Sequence, residues 1–256
     1  MIKKQLEYLE RINQAITDCI GEIQYDTTDN RNMIILALYG TILEYSLSCI
    51  TLLKEKKFTA IPVILRSALE ANLDLMILTK NKDYENSIKL AYLNQHISII
   101  KNIINTTPHT RFVANNLTRF QDELDRNLAI AEDLRAAGAK KFRLNEKFTE
   151  AQIDQVYTLY QSLCRESHNN LDRLIQRHIV KSDSHFKVIF FKKWEDADIA
   201  EVISFTVRFL INPFRKIQEI FQLKDSPRTG KVVELFLEYE ELEKSIYANI
   251  NANIGI

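Results

Sequence analysis

The sequence predicts an all-α fold, a single bundle of long helices with at most one small β-hairpin near residues 179–191. Only 5 Gly and 4 Pro occur among 256 residues, so turns are few and the elements between them must be long. Apolar residues recur at helical spacing along nearly the whole chain. The hydrophobic and charged fractions, 46% and 27%, are typical of a globular protein and not of a disordered one.

The helices are assigned in chain order from their apolar stripes and from the residues that interrupt them. Pro62 falls in the first turn of the third helix, where a missing N–H costs little, and Pro213 predicts a kink in a later helix. Residues 140–148 are predicted to form a loop, and Thr149-Glu150-Ala151-Gln152 a capping box that begins the next helix. The predicted helices cover roughly 2–23, 30–56, 59–79, 84–104, 108–137, 149–165, 171–175, 195–223 and 231–249.

A short β-like stretch interrupts the helical pattern. Residues 185–191 read His-Phe-Lys-Val-Ile-Phe-Phe, which is too short to form a sheet of its own. We expect it to pair with residues near Ile179 in a small hairpin. No repeat, low-complexity tract or linker divides the chain, so residues 1–256 are predicted to form a single helical domain.

The balance of charge limits the partners that the whole chain can attract. Lys+Arg and Asp+Glu both total 34, so a general attraction to nucleic acid or to an anionic membrane is not expected, although zero net charge is compatible with a local basic patch. The most apolar stretch, 33–53, contains Glu44, and the N-terminus lacks the apolar segment of a signal peptide. With three scattered cysteines, Cys19, Cys49 and Cys164, the chain is predicted to be cytoplasmic, without membrane contact or disulfides.

The first candidate site lies on the third predicted helix. Arg66, Glu70 and Asp74 are spaced by four residues and therefore share one face of an otherwise apolar helix. This pattern favours a polar pocket or the margin of the core. The alternative is a simple ion pair between successive turns, which stabilises a helix by about 0.2–0.5 kcal/mol.

The second candidate site is the polar segment 163–179. Its histidines can act as general acid or base, and its arginines can hold a phosphate. This set suits cleavage of a phosphodiester by attack of a 2′-hydroxyl, although the same residues would also suit a polar helix junction in which His168 caps a helix. A metal site made by Cys164, His168 and Asp172 is a weaker alternative, because zinc usually takes four ligands. The candidates are His168, His178, Arg173 and Arg177 for catalysis, and Arg165, Asn169 and Asn170 for binding, together with Arg66 and Glu70.

These two segments together resemble a bacterial family of uncharacterised helical proteins, the DUF5677 family, over roughly residues 36–210. The resemblance implies that Arg66, Glu70, His168, Asn169, Arg177 and His178 are family positions, and it implies no reaction. Some members are distantly similar to the HEPN superfamily, whose helical bundles include metal-independent ribonucleases of toxin and phage-defence systems. Their signature is an Arg followed after four to six residues by a His. Arg173 and His178 fit that spacing, whereas Arg165 and His168 do not.

Two functions are therefore carried forward. The first is a HEPN-like defence or toxin-type ribonuclease that needs no cofactor, in which His168 or His178 is the base, Arg173 or Arg177 holds phosphate, and Arg66 and Glu70 orient the site. The second is a non-catalytic helical module that binds a protein partner or a small ligand in the same polar pocket. A symmetric homodimer is expected in either case, because two-fold assemblies are the commonest.

Overall fold

A computed structural model describes residues 1–106, 110–167, 170–182, 185–190, 194–223 and 226–254. Within this part of the chain it contains eleven α-helices and one two-stranded antiparallel sheet, which confirms the predicted all-α fold and hairpin. The elements are α1 (Ile2–Ile20), α2 (Asn30–Lys54), α3 (Ile61–Lys80), α4 (Tyr84–Asn105), α5 (Arg111–Asn115), α6 (Leu117–Ala136), α7 (Leu144–Ala151), α8 (Tyr157–Ser167), α9 (Leu171–His178), β1 (Ile179–Ser182), β2 (His185–Val188), α10 (Asp196–Ile220) and α11 (Pro227–Ile254).

The predicted loop at residues 140–148 holds only as far as residue 143, and the capping box at Thr149 is wrong. Helix α7 begins at Leu144, because the Glu146 carboxylate accepts a hydrogen bond of 2.6 Å from the backbone N–H of Arg143. Thr149 lies inside this helix and donates to Asp154 at 2.6 Å. Burial of Phe148 against the core holds the helix in place, a tertiary effect that local propensity did not reveal.

The single helix predicted over 108–137 is also divided. Asn116 separates α5 from α6, and its side-chain amide donates to the backbone oxygen of Phe112 at 2.8 Å. An asparagine that bonds to its own backbone competes with the helical pattern, which explains the break. By contrast, α10 runs unbroken through Pro213 from Asp196 to Ile220.

Helix α3 is the centre of the main core, where it packs against α2, α4, α7, α8 and α10. Helix α1 closes the bundle by packing on α2, α10 and α11. Two polar contacts join the layers: the buried Tyr39 hydroxyl donates to the backbone oxygen of Leu210 at 2.9 Å, and Arg31 donates to the last carbonyls of α3, including that of Leu78 at 3.0 Å. The second contact satisfies a helix C-terminus that would otherwise lack partners.

A second apolar cluster lies between α4 and α6, apart from the main core. It consists of buried side chains that include Leu90, Leu93, Ile97, Leu124 and Ala131. The two helices pack along their length, and α4 is joined to the bundle through α3. The chain thus has one large core and a helical hairpin with a core of its own, and the single-domain assignment stays a prediction.

Helix α2 is the one described helix whose length and composition would suffice to cross a membrane. A third of its most apolar window, 33%, is buried inside the bundle, and it packs against α1, α3 and α10. A core helix of a folded bundle meets the same criterion.

Gln5 provides a test of the packing of α1 in the bundle. Its side chain is 0% exposed, and neither amide atom has a hydrogen-bond partner among the described residues. Gln5→Met keeps the length and removes the buried polar atoms, so we expect the free energy of unfolding to rise by about 1–3 kcal/mol. Urea denaturation measures this change.

The control for this variant is Gln14→Met on the same helix, where the side chain is exposed and donates to Asp18. It should alter stability by about 0.5 kcal/mol or less. A loss of stability in Gln5→Met would contradict the prediction and indicate that ordered water satisfies the amide.

Candidate functional site

The first candidate site is the polar stripe of α3, which faces α7 and α8. Arg66 and Glu70 form an ion pair of 3.0 Å between Nε and Oε1, as their spacing predicts. A third side chain completes the group: the Tyr160 hydroxyl, from α8, donates to Glu70 Oε1 at 2.9 Å and accepts from Arg66 Nε at 3.2 Å. The Arg66 guanidinium also lies over the Tyr160 ring, 5.6 Å from its centre.

Burial and hydrogen bonding within this triad change the pKa values of Tyr160 and Arg66. Burial raises the pKa of the Tyr160 hydroxyl, and its hydrogen bonds to Cys164 and Glu70 raise it further. Burial alone would lower the pKa of Arg66, but hydrogen bonds to Glu70 and Tyr160 outweigh it and raise that pKa. Tyr160 therefore stays a neutral donor at physiological pH and links Arg66 to Glu70.

The stripe continues one turn further with Asp74, which accepts two strong hydrogen bonds. Lys147 of α7 donates to its Oδ1 at 2.6 Å, and the Tyr84 hydroxyl donates to the same oxygen at 2.5 Å. Glu70 and Asp74 thus each accept a hydrogen bond from a side chain of a neighbouring helix. The stripe works as a polar seam that aligns α7 and α8 on α3.

The second candidate site is a cluster of charges at the junction of α8 and α9. The Glu166 carboxylate binds Arg173 Nη1 through Oε1 at 2.7 Å and Arg177 Nη2 through Oε2 at 3.0 Å. Arg177 also donates to the backbone oxygen of Glu166, near the C-terminal end of α8. All three side chains are about four-fifths buried, with exposures of 20–22%. The ion pairs therefore hold α9 against α8.

The other residues of this segment have separate places. Asn170 begins α9 as its cap, accepting from the backbone N–H of Asp172 at 3.0 Å. Arg165 forms an exposed contact of 3.7 Å with Asp172.

The start of this segment lies beside the α3 stripe. Cys164 is close enough to Arg66 and Tyr160 to influence the pKa of both. His168 and Asn169 lie outside the described residues.

His178 is at the base of the hairpin, where its ring is held by the opposite strand. Its Nδ1 lies 3.1 Å from the carbonyl oxygen of Ile189, and its own carbonyl accepts from the N–H of Ile189 at 2.7 Å. A carbonyl oxygen only accepts, so Nδ1 is the donor in this contact, and in the neutral form of the ring Nε2 is the acceptor. No described residue hydrogen-bonds to Nε2.

The segment from α9 to Phe190, here called the arm, exposes several large apolar side chains. Its described side chains are exposed or partly buried, and none of them belongs to either apolar core. Phe186 and Phe190 are 77% and 74% exposed, and Leu171 is 71% exposed. Contiguous exposed apolar groups are a general feature of binding surfaces.

No group of three or more His, Cys, Asp or Glu among the described residues could hold a metal ion. The sequence did not point to Tyr160 or to Glu166, although both organise the two sites. The one indication for Tyr160 in the sequence is its position four residues before Cys164, which places the two side chains on the same face of a helix. Glu166 is seven and eleven residues from its two arginines, which in one continuous helix would lie about 10 and 16 Å away along the axis. Only the break between α8 and α9 brings them together.

The α3 triad makes a prediction about stability. Tyr160→Phe removes the hydroxyl that joins Arg66 to Glu70, and we expect it to lower the free energy of unfolding by about 1 kcal/mol. Chemical denaturation measures the loss. Tyr157→Phe is the matched control, because that ring packs on Phe148 at 5.2 Å as Tyr160 does at 5.7 Å. Equal effects of the two substitutions would show that the triad contributes nothing beyond ring packing.

Comparison with known proteins identifies a family that matches this chain. The family model DUF5677, described as a family of unknown function, matches residues 32–186. The match takes in α2 to the start of β2, including both candidate sites, and ends before the residue 210 that the resemblance suggested. Searches among curated proteins and among solved structures found no match. Because the model matches more than half of its length, the chain belongs to the DUF5677 family.

Proposed function

We propose that the arm binds single-stranded RNA and that His178 cleaves it, without a metal ion. The observation that carries this proposal is the placement of the His178 ring: Nδ1 lies 3.1 Å from a carbonyl oxygen, no described residue hydrogen-bonds to Nε2, and the ring of the exposed Phe190 lies 6.2 Å away. A histidine oriented through one ring nitrogen is prepared to take a proton with the other. The spacing of Arg173 and His178 also resembles the HEPN ribonuclease signature.

The distribution of charge supports a polyanionic ligand. Residues 164–193 contain seven Lys and Arg residues against three Asp and Glu residues, whereas the whole chain is neutral. Lys181 and Lys187, one on each strand of the hairpin, form no ion pair with any described residue. Free cations concentrated in one segment attract phosphates, and phosphate contacts supply most of the affinity for nucleic acids.

The exposed rings explain why the proposed ligand is single-stranded. Phe186 is the cross-strand partner of Lys181, so both side chains stand on the same face of the hairpin. An exposed ring beside an ammonium group can stack on an unpaired base while the lysine contacts the phosphate next to it. Paired bases in a duplex are not available for such stacking.

The proposed reaction is an internal transesterification. His178 Nε2 takes the proton of a 2′-hydroxyl, the 2′-oxygen attacks the adjacent phosphorus, and the bond from phosphorus to the 5′-oxygen breaks. The 5′-oxygen leaves with a proton, supplied by the imidazolium or by water. The products are a 2′,3′-cyclic phosphate and a 5′-hydroxyl, and no oxidant, cofactor or metal is required.

The test of catalysis is His178→Ala, assayed by incubating purified protein with total RNA in the presence and absence of EDTA. We expect cleavage to fall about 10²–10⁴-fold, with binding of a 2′-O-methyl oligonucleotide retained. His96→Ala is the control, because His96 is bonded to Asn127 in the α4–α6 hairpin, away from the arm. His168→Ala, run in parallel, tests the other predicted base. Full cleavage by His178→Ala would overturn its catalytic role.

The test of binding separates the two faces of the hairpin. Phe186→Ala should weaken binding of labelled oligouridylate by about 1–3 kcal/mol, the typical worth of one stacked base. Lys181→Gln should reduce the slope of log affinity against log salt concentration by about 1, the value expected for the loss of one phosphate contact. Lys187→Gln removes the same charge from the opposite face and should have the smaller effect. Fluorescence anisotropy measures all three, and equal effects of the two lysines would contradict a single binding face.

A non-catalytic binding module remains the second candidate, and the aliphatic surface of α9 favours it. Leu171 and Ile175, one turn apart, are 71% and 42% exposed, and RNA has no need of such a surface. A protein partner or a second copy of the chain would bury it, and light scattering tests the predicted homodimer. Arm variants that leave RNA cleavage and binding unchanged would favour this function.

A further inference from the structure

The two arginines proposed to hold phosphate are already occupied by a carboxylate of the same chain. Each oxygen of Glu166 contacts a different guanidinium, Arg173 at 2.7 Å and Arg177 at 3.0 Å. Two guanidinium groups that converge on one anion form the arrangement that binds a phosphate group in many proteins. Here the anion is internal.

The carboxylate does not use all the donors that converge on it. Arg173 Nε is buried and has no hydrogen-bond partner among the described residues, although Nη1 of the same group is bonded to Glu166 and to Gln176. Two positive charges also face a single negative one. A phosphate, with more oxygens and in some forms more charge, would use donors that Glu166 leaves free.

We propose that Arg173 and Arg177 form a phosphate clamp and that Glu166 is its internal gate, which an RNA phosphate displaces when it binds. This inference rests on the proposed function, since it assigns the phosphate of that substrate to this clamp. The gate lowers affinity for isolated phosphates, because every ligand must compete with Glu166. A ligand that also engages Phe186 and Lys181 gains the additional contacts that make displacement favourable.

A purely structural role for the same ion pairs makes the opposite prediction. Arg177 also donates to the backbone oxygen of Glu166, and a cation at the C-terminal end of a helix stabilises it. If Glu166 only fastened α9 to α8, its loss would loosen the arm and weaken RNA binding. A gate, once removed, strengthens binding.

The experiment compares Glu166→Gln with Asp172→Asn, using a labelled 2′-O-methyl oligouridylate that cannot be cleaved. Both substitutions remove one negative charge, but Asp172 has an exposed contact of 3.7 Å with Arg165 and none with the clamp. We expect Glu166→Gln to bind about tenfold more tightly than wild type, the order expected from releasing charged hydrogen bonds to the ligand. Asp172→Asn should change affinity by about twofold or less.

Failure of the gate and failure of the proposed function give different results. If wild type binds the oligonucleotide and Glu166→Gln gains no more than Asp172→Asn, the gate is overturned and RNA binding stands. If no variant binds the oligonucleotide, the RNA function fails, and thermal melting with pyrophosphate then tests the clamp alone. Pyrophosphate should raise the melting temperature of Glu166→Gln more than that of wild type, and equal shifts overturn the clamp.

A second variant covers the case in which Glu166→Gln does not fold. Arg173→Gln keeps the pair between Glu166 and Arg177 and its contact with α8. The clamp predicts that this variant binds the oligonucleotide more weakly. It also predicts that the slope of log affinity against log salt concentration falls by about 1, the value for one lost phosphate contact. Unchanged affinity and slope in a folded Arg173→Gln protein would overturn it.

Discussion

The burial of α3 is the constraint on which the rest of the structure depends. This helix packs against five others, α2, α4, α7, α8 and α10, and its apolar side chains form the middle of the main core. Removal of apolar surface from water contributes about 25 cal/mol per Å², so a helix covered on most sides contributes a large share of the stability. The one side of α3 that carries charge is completed by polar groups from its neighbours, because a charge brought into a core needs a partner.

This arrangement explains the division between the two candidate sites. The α3 triad is built on a buried helix, and its polar groups bond to one another at 2.9–3.2 Å. No described side chain of the arm belongs to either apolar core, and the arm is held by ion pairs to Glu166 and by the backbone pairing at His178. A segment with few buried apolar contacts opens at low free energy. The α3 triad is therefore fixed by the packed core of the bundle, whereas the arm depends on a few polar contacts.

Much of the fold could be predicted from the pattern of apolar residues. The start of α3 near Pro62, the extent of α4 and the hairpin near Ile179 follow from periodicity and from residues that interrupt helices. The division at Asn116 and the helix from Leu144 to Ala151 were missed, because the first depends on a side-chain hydrogen bond and the second on burial of Phe148. Neither contact can be inferred from the spacing of residues along the chain.

The sequence by itself determined the class of the fold and the pairing of Arg66 with Glu70, since residues four apart on a helix are neighbours whatever surrounds them. It also determined that a concentrated polar segment follows α8. Only the tertiary structure decided that Tyr160 bridges the ion pair, that Glu166 faces both Arg173 and Arg177, and that the hairpin leaves its phenylalanines in solvent. These contacts join residues on different elements, and their geometry is set by how the helices pack and not by spacing along the chain.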